Sequence, residues 1–221
     1  MLIHLKDVSY TYNINMPFET RAIKSINIEI DKGDFIGIIG HTGCGKTTLL
    51  QLFNGLLEPS EGKVLIDGVD IHDKKTRLRD IRKRIGLTFQ YPENQLFEET
   101  VFKEIAFGPK NLGVKEELLE ERVISSLEMV EMDYHFYKDR SPFTLSGGEM
   151  RRIAIASILA IDPEVIILDE PTASLDPQSR SGLLNLIKEL HYKHSKTIIL
   201  VSHNMEVIAE LVKRILVMEK G

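Results

Sequence analysis

Gly40-His41-Thr42-Gly43-Cys44-Gly45-Lys46-Thr47-Thr48 is the stretch from which the rest of the chain can be read. It fits the template G-x-x-x-x-G-K-[ST] at every fixed position. The apolar run Phe35-Ile36-Gly37-Ile38-Ile39 precedes it and reads as a buried strand. Leu49-Leu50-Gln51-Leu52-Phe53 follows as helix material, so the loop feeds a helix N-terminus whose unpaired N–H groups favour an anion. Glycines at 40, 43 and 45 let the backbone wrap closely around phosphate oxygens. Lys46 then supplies a point charge for the β- and γ-phosphates of a nucleotide, and the Thr47 hydroxyl suits Mg²⁺. A glycine-rich turn that binds nothing is the alternative. The strand–loop–helix context that the motif requires argues against it.

The chain has 221 residues, enough for one large domain or two small ones with a sizeable core. Hydrophobic residues at 43% and charged residues at 28% are those of an ordinary globular protein. Met1-Leu2-Ile3-His4-Leu5-Lys6 is already strand-like rather than a leader, and no apolar run approaches the roughly 18 residues that span a bilayer. A cytoplasmic location is expected, with any membrane role exerted through a partner. The lone Cys44 cannot form an internal disulfide, which agrees with a reducing compartment. A net charge of −5 gives no global case for nucleic acid. Locally, Lys74, Lys75, Arg77, Arg79, Arg82, Lys83 and Arg84 crowd together with Asp80 as the only acid between them. No aromatic residue interleaves them, so a solvated helix face is the expected reading over a nucleic-acid platform.

Alternating and β-branched runs at Ile3 to Tyr12, Ala22 to Ile30 and Lys63 to Ile66, with a turn at Asp67-Gly68, predict antiparallel strands flanking the loop. A strand at 35–39, a helix at about 46–54 and a strand at 85–89 begin an α/β core. Glu116 to Val130 is amphipathic helix, with Leu119, Val123, Leu127 and Val130 on one face. A further helix runs to about Ala160. Val165-Ile166-Ile167-Leu168 is the continuous apolar run of a parallel strand covered on both faces. Helix after Pro177, strand at 197–201, helix at about 205–211 and strand at 214–218 complete a βαβαβ series. The expected fold is α/β: a mostly parallel sheet at residues 1–90 and 161–221, an N-terminal antiparallel β subdomain, and a helical insertion at 91–160. Glu219-Lys220-Gly221 reads as a turn whose return strand lies in a further C-terminal segment.

Asp169 and Glu170 close the apolar strand, where adjacent carboxylates are costly unless a cation or a catalytic duty compensates them. Asp169 fits the residue that holds the Mg²⁺ shell, and Glu170 fits the general base that polarises a water. A solvated strand end is the plainer alternative. Ser146-Gly147-Gly148 opens a helix and offers a second anion-binding N-terminus, carrying a hydroxyl and backbone amides.

Over essentially its whole length the chain resembles the ATP-binding cassette (ABC) ATPases, whose core is a P-loop NTPase (RecA-like) fold. Leu145-Ser146-Gly147-Gly148-Glu149 matches the cassette signature, Gln90 the Q-loop, Ser174-Leu175-Asp176 the D-loop, and His203 the switch histidine, all in the family's order. Tyr12 matches the aromatic that stacks on adenine, with Tyr10 as a near rival. The resemblance implies that ATP and Mg²⁺ are bound, and that Glu170, His203 and Gln90 serve catalysis. It further implies that Thr47, Gln90 and Asp169 hold the metal, and that Ser146, Gly147, Gly148 and Glu149 face the ATP of an opposite protomer.

Gln90-Tyr91-Pro92-Glu93-Asn94-Gln95-Leu96-Phe97-Glu98-Glu99-Thr100-Val101 looks like the same stretch in ATPases of energy-coupling factor importers, which take up vitamins or cobalt and nickel ions. There Leu96, Phe97 and Val101 are expected as apolar anchors, and Glu93, Glu98 and Glu99 as acids, for a basic amphipathic helix of a membrane subunit. The partners so implied are a second ATPase subunit, identical or paralogous, a transmembrane coupling subunit and a substrate-binding membrane subunit, at the cytoplasmic face of the cell membrane. Two alternatives are the ATPase of another cassette importer and a nucleic-acid-linked cassette ATPase, the latter resting on the 74–84 run alone.

Overall fold

The computed structural model describes residues 1–221, apart from the side chains of Pro92, Asn94 and Glu206. In chain order, strands β1 (Ile3–Tyr12), β2 (Thr20–Ile30) and β3 (Phe35–Gly40) lead through the glycine loop to α1 (Lys46–Phe53). Then come β4 (Glu61–Ile66), β5 (Val69–Asp70), α2 (Leu78–Arg84) and β6 (Ile85–Thr88). Four helices follow: α3 (Val101–Asn111), α4 (Glu116–Met129), α5 (Tyr134–Tyr137) and α6 (Gly147–Leu159). The chain ends with β7 (Val165–Asp169), α7 (Pro177–Tyr192), β8 (Thr197–Val201), α8 (Met205–Leu211) and β9 (Arg214–Met218). Contacts divide it into two compact units: Met1–Leu87 with Glu164–Asp169 and Lys196–Gly221, and Thr88–Pro163 with Glu170–Ser195.

The first unit carries two sheets. An antiparallel one runs β2-β1-β4-β5, with Ile3 opposite both Ile30 and Ile66. Its tight turn uses Asp67 and Gly68 at φ 48° and 79°, the left-handed pair that suits the twist of a hairpin. The second sheet runs β6-β7-β8-β3-β9, and β7, β8, β3 and β9 pair in parallel. Every residue of β7 and β8 is buried, which is why they read as unbroken apolar runs, whereas the edge strand β9 leaves Val217 exposed. Ile36, Ile38, Ile167 and Ile199 from this sheet meet Leu49, Leu52 and Phe53 of α1 in one core. Each such side chain contributes roughly 1.5–3 kcal/mol by leaving water. Because the strands are parallel, β3, β7 and β8 all deliver their C-terminal ends to one edge of the sheet, where ligands of such sheets bind.

In the second unit α3 packs on α4 and α6, and α4 on α6. The expected face of α4 is the buried one: Leu119, Val123 and Leu127, with Val130 at its end. The C-terminal part of the basic run is engaged by local structure. Arg82 donates to the Gly55 carbonyl at 2.9 Å, Arg84 pairs with Glu164 at 2.8 Å and with Asp67, and Lys83 pairs with Asp80 at 3.7 Å. Arg84 therefore serves the fold of the first unit. Among the described residues no helix is long and apolar enough to cross a membrane.

Candidate functional site

In the first unit β3 ends at Gly40 and α1 begins at Lys46, so residues 41–45 form the loop between them. Gly45 sits at φ 101°, and a Cβ there would lie 2.5 Å from the Ala22 carbonyl oxygen; the motif's glycine is required on both counts. Lys46 is buried and curls back, its Nζ donating to the carbonyls of Gly40 at 2.8 Å and His41 at 3.0 Å. His41 and Thr42 are exposed at the rim, where the His41 ring Nδ1 donates to the Thr42 carbonyl at 2.8 Å.

Thr47 Oγ1 donates to Asp169 Oδ2 at 3.1 Å, joining the start of α1 to the end of β7 across 122 residues of sequence. Burial holds the Asp169 carboxyl above the usual carboxylate range, opposed by the Thr47 hydrogen bond and by the charges of Lys46 and His203. His203 follows β8 and so lies within electrostatic reach of Asp169. Tyr12, at the end of β1, shares a 3.1 Å hydrogen bond between its hydroxyl and that of Thr48. Tyr10 stands edge-on to it, ring centroids 4.7 Å apart, and packs against the core. Of the two tyrosines, Tyr12 is thus the one tied to the first turn of α1.

The remaining predicted residues belong to the second unit. Ser146 caps α6, and Glu149 completes a capping box. The Glu149 carboxylate accepts from the Ser146 N–H at 2.8 Å, the Ser146 hydroxyl at 2.7 Å and the Tyr137 hydroxyl at 2.7 Å. Those bonds, Tyr137 first, hold it below the usual carboxylate range. Glu149 therefore orients Ser146, while Gly147 and Gly148 leave the first turn uncluttered. Asp176 caps α7, accepting from the amides of Gln178 and Ser179 at 3.0 Å. Glu170 breaks the strand at φ 50°, in a turn whose other left-handed residue is Ser174 at φ 60°. Gln90 lies just after β6, followed by Tyr91 at φ 59°.

One residue of the loop turns away from it, and one expectation for the stretch after Gln90 is corrected. Cys44 does not present its thiol to a nucleotide: between the left-handed Gly43 and Gly45 the chain turns it inward, where it is 1% exposed in the core. Only its backbone can take part in the cradle. In the stretch after Gln90, Leu96 and Val101 are core residues, and Glu93 is consumed by an ion pair with Arg151 at 2.8 Å. What stays outside is Phe97, edge-on to the exposed Phe107 at 4.8 Å, with Glu98 and Glu99 beside it. The buried Glu104 fixes this ledge by accepting from the amides of Phe97 and Glu98 at 2.9 and 2.8 Å. Pro92 and Asn94, also in that stretch, lie outside the described side chains. Arg151 and Tyr137 escaped the sequence reading. Arg151 carried a signal, standing at helical spacing with the buried Ile155 and Leu159.

A lysine folded into a glycine loop at a helix start, beside a hydroxyl–carboxylate pair at the edge of a parallel sheet, is suited to a polyphosphate and its cation. Fold and loop thus define a P-loop nucleoside triphosphatase core. The ABC transporter family profile matches residues 23–173. The energy-coupling factor transporter ATP-binding protein EcfA2 of Caldanaerobacter subterraneus subsp. tengcongensis is 57% identical over 221 residues, which is 100% of this chain and 77% of that protein. Among solved structures, cbiO1 from Clostridium perfringens, described as part of the ABC transporter complex cbiONQ, matches with a TM-score of 0.88 at 35% identity, covering 100% of this chain and 85% of that one. The dimeric post-hydrolysis state of the ATP-binding cassette MJ0796, bound to ADP and Pi, matches with a TM-score of 0.87 at 31% identity, covering 100% and 95%. This chain belongs to the ABC transporter ATPases, in their energy-coupling factor branch.

Proposed function

We propose that this protein is the ATP-hydrolysing motor of an importer for vitamins or for cobalt or nickel ions, acting as one half of a head-to-tail pair docked on a transmembrane subunit. The observation that carries the hydrolytic reading is the 3.1 Å contact between Thr47 Oγ1 and Asp169 Oδ2. It puts two hard oxygen donors together, and the buried Asp169 carboxylate gains from a neighbouring cation. Thr47, Asp169 and the amide oxygen of Gln90 are the groups that would hold Mg²⁺, which when bound neutralises charge on the β- and γ-phosphates.

Lys46 exchanges its carbonyl partners for phosphate oxygens, and the exposed amides of the loop wrap the same group. Tyr12 supports the adenine ring. Glu170 takes the proton of the attacking water, and His203 contacts the γ-phosphate from the loop after β8. Ser146, Gly147 and Gly148 of the opposite protomer close over that phosphate, so ATP joins the pair and hydrolysis releases it. The dimeric state of MJ0796 with ADP and Pi supports this pairing by similarity. Phe97, Phe107, Glu98 and Glu99 form the ledge that receives the membrane subunit.

Glu170→Gln tests the reading. The variant is expected to bind ATP as the parent does, to lose turnover, and to accumulate as a closed dimer on size exclusion with ATP. Undiminished steady-state hydrolysis would reject Glu170 as the base.

A further inference from the structure

Arg151, on the second turn of α6, is a buried cation: 2% of its side chain is exposed. All its guanidinium nitrogens are engaged. Nε donates to Glu93 Oε2 at 3.2 Å, and one terminal nitrogen donates to Glu93 Oε1 and Oε2 at 2.8 and 3.0 Å. The other donates to the carbonyls of Pro171 and Ala173, each at 2.7 Å. One planar fork therefore bolts three segments of the second unit together. Glu93 lies three residues after Gln90, Pro171 follows Glu170 directly, and Arg151 itself sits on the helix that Ser146 opens.

The gripped segments include residues whose backbones are held in a costly state. Tyr91, Glu170 and Ser174 have φ of 59°, 50° and 60°, and non-glycine residues stay there only where their surroundings over-determine them. Both gripped carbonyls fall between Glu170 and Ser174. Stability alone is a weak reason for such a pair, because a buried ion pair is often no more stabilising than apolar residues of the same volume. A lysine ends in one nitrogen with three N–H donors, has no planar fork, and so cannot reproduce the five contacts of this guanidinium.

We infer that Arg151 is a positioning residue for ATP hydrolysis: its guanidinium fixes the turn that carries Glu170 and the turn that follows Gln90 to the signature helix, so that the three move as one body. This rests on the proposed role of Glu170. Loss of the fork leaves the phosphate loop and Tyr12 in place, and lets the base wander.

The test compares Arg151→Lys and the double variant Arg151→Met with Glu93→Leu, which removes both charges and strands neither. Purified full-length protein is assayed with Mg-ATP, and kcat is expressed per mole of protein that binds ATP. Both variants are expected to lose kcat on the order of 10- to 100-fold, as misplacement by about 1 Å does, with KM for ATP unchanged. A kcat within about threefold of the parent in both variants, or a loss confined to KM, overturns the inference. Glu170→Gln is run alongside. If it is inactive while both Arg151 variants keep parental kcat, the positioning role alone fails; if it is fully active, the assignment of the base fails first.

Discussion

Tyr137→Phe removes one hydroxyl, the one that donates to Glu149 Oε1 at 2.7 Å. A hydrogen bond to a charged acceptor contributes about 1.5–3 kcal/mol, and both groups here are only half-buried, so solvent screening brings the expected loss to about 1 kcal/mol. For a chain of this size that lowers Tm by about 2–4 °C. The pH dependence identifies the bond. Tyr137, then Ser146, holds the Glu149 carboxyl below its ordinary 4.5, so this stability is present above that value and is lost as pH falls through the lower folded value. The hydrogen bond to Glu149, with burial, raises the Tyr137 phenol above its ordinary 10.0. That part is present below 10.0 and is lost as pH rises through the raised folded value. The difference between parent and variant should therefore be flat across the neutral range and close at both extremes. Thermal melts of both proteins in a pH series measure it. Ser146, which gives its N–H and hydroxyl to the same carboxylate, should lose its fixed setting, and ATPase activity should fall along with Tm. Equal melting at neutral pH, or an offset that persists unchanged in acid, would refute the reasoning.

Three other perturbations have defined outcomes. Asp169→Asn should raise Tm of the nucleotide-free protein at neutral pH. Burial raises this carboxyl above its ordinary 3.8, so its favourable contribution is present below that value and is lost as pH climbs through the folded value; a lower Tm would contradict this. The same variant should lose most of the extra stabilisation that Mg-ATP gives the parent, read in the same melts. Cys44 should react with iodoacetamide only when the protein unfolds, with or without ATP, since its thiol is 1% exposed; rapid labelling of native protein would place it at the surface after all. Reversing Glu98 and Glu99 together with Phe97→Ala should release the transmembrane subunit on co-purification while ATP binding stays intact, and parental yield would remove the ledge as the dock.

Much of the fold was legible because its signals are local. The template at 40–48 sits between an apolar run and helix material, and the strand expected at 35–39 is found at Phe35–Gly40. Continuous apolar runs marked β7 and β8 as strands covered on both faces, and period alone gave the buried face of α4. What the sequence withheld is direction where no period exists. Cys44 lies in a loop, and only the left-handed glycines on either side of it send the thiol to the core. Leu96 and Val101 are as apolar as Phe97, yet Glu104 and the start of α3 decide that the first two are buried and the third is not.

Glu93 and Arg151 show why a charge can mislead more than an apolar residue. Read alone, Glu93 belongs with Glu98 and Glu99 as surface acid, since carboxylates are rarely buried unless paired. Its partner stands 58 residues away, on a helix where Arg151 shares the buried stripe of Ile155 and Leu159. A cation in an apolar stripe is tolerable only if a carboxylate comes to meet it, because an uncompensated buried charge is strongly destabilising. That requirement points to some acid elsewhere in the chain without saying which. The fold makes the choice by ending a 3₁₀ turn (Pro92–Gln95) against α6, and in doing so it ties the segment after Gln90 to the turn after Glu170. The features hardest to read from sequence are thus the long-range joints between loops.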